Sequence, residues 1–227
     1  MTTIGEPERV TQNRIIALLS AHNTDAPDGL GWRYLGDWQK RDGNTNIEES
    51  LLRPWLTTRG YTPDVISKAI AELTRAARME GAKLYEANVE VYNLLRYGVS
   101  VSPGPGEAPV TVRFVDWGDP AANDMGVAEE VAIKGKSAKA YNKRPDLVFY
   151  VNGIALGIME LKKSTVGVGE GIRQTLDNQD AKFIRHFFTT NQICFAGNDS
   201  EGMRYAGIQT PQPYWLAWKE DSDITQP

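Results

Sequence analysis

The sequence of 227 residues holds one cysteine, Cys194, and two histidines, His22 and His186. A single cysteine closes no intrachain disulfide, and the chain fits a reducing compartment. A structural zinc site needs four such ligands, which these side chains cannot supply. Cys194 reads instead as a small buried apolar residue. No apolar run approaches the length of about twenty residues that a membrane-spanning helix needs. The start, Thr2-Thr3-Ile4-Gly5-Glu6, has neither the basic nor the apolar stretch of a secretory signal. These absences point to a cytoplasmic chain with no membrane partner. Neither sign of charge dominates, with 25 basic and 29 acidic side chains and a net charge of −4. That excludes a globally basic nucleic-acid coat but leaves room for a local basic groove. With 41% hydrophobic and 24% charged residues, disorder, collagen and disulfide scaffolds are excluded as well. The length suits one domain with a sizeable core.

The first half reads as helical. Residues 7–20 place Val10, Ile15, Leu18 and Leu19 on one side of a helix. Residues 24–46 read as a long ordered loop anchored by Trp32, Tyr34, Leu35 and Trp38. Asn46 is the expected cap of a helix that begins Ile47-Glu48-Glu49 and ends near Arg59-Gly60. Thr62-Pro63-Asp64 opens the next helix, with Gly81 as its stop. Residues 82–97 form a third, closed by Gly98, with Leu84, Val91, Leu94 and Leu95 inward.

The second half reads as strands: Val99–Val101, Val110–Val115, Ala128–Ile133, then Asp146–Val151 and Ile154–Leu161 joined at Asn152-Gly153, a strong hairpin signal. Ser164–Gly171 reads as a Gly-rich loop before a helix with Ile172, Leu176, Phe183 and Phe187 at helical spacing. Gln192–Ala196, Met203–Ile208 and Tyr214–Trp218 complete a sheet. The expected fold class is α/β of the α+β type, a mixed central sheet flanked by helices. Residues 1–45 would pack on a core of residues 46–220, with 221–227 as a tail.

The chemistry concentrates on the hairpin. Glu160 and Lys162 share one face of a strand, and Leu161 points to the other. Asp146 lies on the partner strand. A two-residue loop would pair it with Met159, opposite in face to Glu160. A three-residue loop with a bulge at Gly153 would pair it with Ile158 and bring Asp146, Glu160 and Lys162 together. The bulged form is expected, because only it assembles a site. An Asp followed by Glu-x-Lys is in general more often a surface ion pair. Here the strands are apolar on both faces, and burying two carboxylates with one ammonium costs several kcal/mol unless charge is neutralised. Oxygen ligands of this kind suit Mg²⁺, which activates phosphate and water. Lys134, Lys136, Lys139, Lys143 and Arg144 follow one another without an acid between them. They suit a DNA-phosphate flank and equally a solvated loop. Gly135-Lys136-Ser137 lacks the earlier glycine of a phosphate-binding loop, and Gly167-x-Gly169-x-Gly171 lacks dinucleotide spacing.

Three runs carry a family resemblance: Arg144-Pro145-Asp146-Leu147-Val148, Val151-Asn152-Gly153-Ile154-Ala155-Leu156 and Met159-Glu160-Leu161-Lys162-Lys163. Together they closely resemble the nuclease domain at the N-terminus of the R (HsdR) subunit of type I restriction–modification enzymes, in the PD-(D/E)XK superfamily. The likeness continues through Gly171-Ile172-Arg173-Gln174, Phe188-Thr189-Thr190-Asn191-Gln192, Ala196-Gly197-Asn198-Asp199 and Asn46-Ile47-Glu48-Glu49, and it covers most of the chain.

The resemblance implies a restriction-endonuclease-like core that cuts double-stranded DNA with Mg²⁺. It makes Asp146 and Glu160 the metal-binding acids, Lys162 the catalytic lysine and the Leu161 carbonyl a backbone metal ligand. Glu49, with Glu48 as the near alternative, matches a further acid brought to the site. Gln174 matches the Gln of a Gln-x-x-x-Tyr motif whose Tyr position is Asn178 here. Lys163, Arg173, Lys182 and Arg185 would add to the DNA surface. Methylation and specificity subunits are the implied partners. ATP serves only motor domains, which this chain lacks and which would begin about where it ends, near Asp223. A second expectation is a non-catalytic DNA-binding or docking module. Glu49 discriminates the two, since the enzyme needs it beside Asp146.

Overall fold

A computed structural model describes residues 8–20, 29–79, 83–136 and 139–219. The expected Gly81 stop and His22 lie outside them. Among the described residues five α-helices and nine strands run in the order α1 (Glu8–Ser20), β1 (Arg33–Asp37), α2 (Glu49–Thr58), α3 (Pro63–Ala77), α4 (Leu84–Tyr97), β2 (Val99–Val101), β3 (Val110–Val112), β4 (Met125–Glu129), β5 (Leu147–Val151), β6 (Ile154–Leu161), α5 (Val168–Asn178), β7 (Ile193–Asn198), β8 (Gly202–Ala206) and β9 (Leu216–Ala217). Seven strands form one sheet in the order β1-β4-β5-β6-β7-β8-β9, and β2-β3 is a separate hairpin. Pairing is mixed: β1 with β4 and β6 with β7 are parallel, the rest antiparallel. The α/β expectation holds, and the architecture fits a restriction-endonuclease-like core.

The central strands are apolar on both faces because both faces are covered. On one, Val148, Tyr150, Ile158, Cys194 and Ala196 meet Val168 and Ile172 of α5. On the other, Val127, Leu147, Phe149, Met159 and Leu161 meet Ile15, Ile16 and Leu19 of α1. A second core joins α2, α3 and α4 to the small hairpin through Leu52, Leu56, Ile70, Leu73 and Val91. Cys194 is fully buried, as its isolation suggested, and burial first, then the charge of Glu160, pushes its thiol up to about 12.

Several sequence expectations shift. The segment read as a loop over 24–46 contains β1, which adds in parallel to β4. Of its anchors, Tyr34 and Leu35 are strand residues, and Trp32 and Trp38 flank the strand on either side. In α1, Val10 and Leu18 are exposed, whereas Thr11 and Gln12 are buried. The helix lies over acidic strand ends: Thr11 donates to Asp199 and Gln12 to Glu129. Asn46 does not cap α2. Its amide donates to the His186 carbonyl and the Thr189 hydroxyl, and Glu48 takes the cap position. The strand expected over 128–133 stops at Glu129, because Glu130 turns left-handed at φ 51°. Gly169 and Gly171 sit inside α5, and Phe183 and Phe187 fall in a turn and a short 3₁₀ helix after it.

Candidate active site

The hairpin sets the site. Asn152 and Gly153 both have positive φ, 54° and 85°, the requirement of a two-residue type I′ turn. Val151 therefore pairs with Ile154, and the expected three-residue loop is corrected. Register then slips within the strands. Tyr150 pairs with Ala155 but Phe149 with Gly157, so Leu156 stands unpaired as a β-bulge. Leu147 pairs with Met159, which puts Asp146 and Glu160 opposite each other at the next step. Neither loop considered from sequence produced this pairing, although the shared face arises as expected.

Glu160 is fully buried and Asp146 is 8% exposed. The Asp146 Oδ2 accepts the backbone N–H of Leu161 at 2.6 Å. Burial, opposed by that bond, and the charges of Glu8 and Glu130, opposed by Lys162, raise the Asp146 carboxyl to about 6. Burial first and Asp146 second push Glu160 well above the usual carboxylate range. Lys162 lies over Gly171, where a β-carbon would come within 3.5 Å of Lys162 Cγ and of the Glu160 carbonyl. The glycine thus lets α5 approach β6 closely and frames the lysine. Its ammonium donates to the Leu161 carbonyl at 2.7 Å.

Helix α5 then clasps Glu160. Gln174 Nε2 donates to Oε2 at 2.7 Å, and Asn178 Nδ2 donates to Oε1 at 3.1 Å. Residues four apart share a helix face, so one face supplies a donor to each carboxylate oxygen. Asn178 is 1% exposed, and its Oδ1 is buried without a hydrogen-bond partner.

Glu49 does not join the site. It is half exposed and bridges to Arg53 on its own helix. Helix α2 abuts the turn, where the Glu48 N–H donates to the Gly153 carbonyl, at the far end of the hairpin from Asp146. Glu48 is buried there and paired with Arg41, so the alternative acid is no closer. The acid whose charge acts on both carboxyls is Glu8, in the first turn of α1. Sequence carried a faint sign of it, an acid at a helix start, but no spacing tied it to Asp146.

The basic flank divides. Arg144 pairs with Glu130, and Lys134 with Asp42. Lys136, Lys139 and Lys143 are in no ion pair among the described residues, and Lys163 is exposed. Arg173 pairs with Glu170 on α5. A large apolar groove of about 470 Å³, lined by Ile15, Trp32, Phe149, Phe195 and Trp218, opens on the α1 face of the sheet, away from the buried carboxylates.

The family profile described as type I restriction enzyme R protein N terminus matches residues 7–212. The chain belongs to this family. The match spans all of the described sheet except β9, together with both helices that flank it. No curated protein matches the chain. Among the described residues no helix of this R-protein domain is long and apolar enough to cross a membrane.

Proposed function

We propose that this R-subunit domain is a Mg²⁺-dependent endonuclease that hydrolyses DNA phosphodiester bonds as part of a type I restriction complex. The observation that carries the reading is Asp146 facing Glu160 in a dry, bulged hairpin with Lys162 on the same side. Two buried carboxylates, both raised first by burial and Glu160 also by Asp146, matched by one ammonium, are a poor structural ion pair. They fit a divalent cation. Among the described residues no three Asp, Glu, His or Cys side chains form a metal cage. Mg²⁺ needs only one or two carboxylates and keeps its waters. Asp146, Glu160 and the Leu161 carbonyl would hold it.

Such an ion supplies Lewis acidity toward phosphate and a more acidic water. The protein's own part is positional. The Leu161 N–H fixes Asp146, and the Gln174 and Asn178 amides fix both oxygens of Glu160. Lys162 offers its donors where negative charge grows on phosphorus as water adds and the phosphodiester P–O bond breaks. Double-stranded DNA is the substrate, held by the unpaired lysines, and the methylation and specificity subunits are the partners.

A second reading is a DNA-binding or docking module without its own catalysis. The exposed position of Glu49 favours it, because the acid expected from family resemblance is missing from the site. The facing Asp146 and Glu160, with Lys162 beside them, speak for the enzyme instead. Cleavage of supercoiled plasmid by the reconstituted complex, with Mg²⁺ or Mn²⁺, decides between them. Asp146→Ala, Glu160→Ala and Lys162→Ala should each abolish cleavage and spare translocation. Cleavage retained by all three would overturn the catalytic assignment.

A further inference from the structure

The hairpin of chain that leads into β5 carries more than charge. Ile133 bridges to Lys143, the Gly135 N–H donates to the Asn142 side chain, and Gly135 packs closely on Ala140. Its stem presents Tyr141, 68% exposed. The Tyr141 backbone N–H donates to the Lys182 carbonyl at 2.8 Å, tying the stem to the turn that follows α5. The Tyr141 ring leans on Phe183, with centroids 6.0 Å apart. Lys143 places its ammonium 4.1 Å from the Phe183 centroid, and Lys182 places its own at 5.2 Å. Neither lysine is in an ion pair among the described residues. Asp180 is close in sequence, but its carboxylate accepts the Lys182 backbone N–H.

An exposed tyrosine tilted at 46° against a second ring, with two ammoniums over that second ring and in no ion pair among the described residues, has the parts of a single-strand platform. A base stacks on the free ring, and the flanking phosphates meet the lysines. We propose that Tyr141, backed by Phe183 and flanked by Lys143 and Lys182, binds an unpaired stretch of DNA by stacking on one base. Lys143 lies three residues before Asp146, so a strand held on this ring lies within about 20 Å of the carboxylates. The assignment rests on the nuclease reading for its choice of DNA as ligand.

The test needs no metal and no cleavage. Fluorescence anisotropy in EDTA would follow a labelled mixed-sequence single strand and the matching duplex, with the wild-type chain and with Tyr141→Ala, Tyr141→Trp and the Lys143→Ala, Lys182→Ala double variant. Loss of stacking should weaken the single strand about tenfold in Tyr141→Ala. Tyr141→Trp should hold or tighten it, and the duplex should respond little to either change. The lysine pair should weaken both ligands and flatten the salt dependence. A Tyr141→Ala variant that binds the single strand like wild type overturns the platform. So does an equal loss on strand and duplex, or a Tyr141→Trp variant as weak as Tyr141→Ala. Plasmid cleavage, measured separately, reports on the nuclease reading alone.

Discussion

Asp146 faces Glu160 because Leu156 has no partner. Asp146 lies five residues before Val151, and Glu160 six after Ile154. In a regular two-residue hairpin that odd difference would send the two carboxylates to opposite faces. The bulge at Leu156 absorbs it. Gly157, the next residue, carries no side chain where a β-carbon would come 2.9 Å from the Phe149 ring.

Two facing acids in a dry site destabilise the fold that holds them. A carboxyl raised from 3.8 to about 6 contributes its full stability below the unfolded value and loses it as pH rises through 6. The gap corresponds to at most about 3 kcal/mol. Asp146→Asn keeps the shape and the acceptor for the Leu161 N–H but removes the charge. Without divalent cations it should melt roughly 5–10 °C above wild type at pH 8, with the advantage shrinking toward pH 4. Calorimetric melts across that range check it; equal melting temperatures at pH 8 would show that the charge is not penalised.

Much of this was legible from residues. Asn152-Gly153 marked the hairpin, although a two-residue turn stands where a three-residue loop was expected, and the apolar runs beside it read as strands buried on two faces. Asp146, Glu160 and Lys162 stood out as charges in those strands. The bulge was not legible, since Leu156 is an ordinary strand residue and its unpairing follows from the neighbours' packing. Nor was β1. Arg33–Asp37 carries a glycine and polar ends, and it forms a strand only because the β4 edge is there to pair with. Glu49 misled for a related reason. Its place in the sequence suits a site acid, but its distance from Asp146 is set by where α2 docks.

That docking gives a controlled comparison of two glycines. Gly60 and Gly153 have nearly the same φ, 84° and 85°. A β-carbon at Gly60 meets nothing within 4 Å, whereas at Gly153 it lies 2.7–2.8 Å from Leu51 Cβ, the Glu48 carbonyl and the Leu52 nitrogen. Gly60→Ala should cost only the left-handed strain, about 1 kcal/mol. Gly153→Ala must also displace the α2 backbone and should cost at least twice as much. Urea unfolding of the two variants measures the difference.

Glu48 and Glu49 should separate in the opposite sense to their resemblance-based roles. Glu49→Ala removes an exposed i,i+4 pair, worth about 0.3–0.5 kcal/mol, and should leave plasmid cleavage unchanged. Glu48→Ala strands the Arg41 guanidinium and the Thr45 N–H, both held by its carboxylate. It should lose roughly 1–3 kcal/mol while metal affinity, normalised to folded protein, stays at the wild-type value. A loss of cleavage in folded Glu49→Ala would return that residue to the site.

The clasp on Glu160 gives the sharpest separation of positioning from folding. Gln174 and Asn178 each hold one oxygen of the same carboxylate. Removing one leaves the other, so the carboxylate can still find its orientation part of the time. Removing both frees it in a dry pocket. Partners of this kind that orient metal ligands are each worth about 10–100-fold in affinity or activity. Gln174→Ala and Asn178→Ala should each fall in that range for Mn²⁺ binding by calorimetry and for cleavage alike. The double variant should lose less than the product of the two, because both act through one group. Asn178→Asp tests the donor specifically. It keeps the size but sets an acceptor against the Glu160 oxygen, so it should bind metal more weakly than Asn178→Ala in a chain that still folds. If Asn178→Asp bound Mn²⁺ as wild type does, the amide would be a packing residue and Gln174 alone would orient the acid.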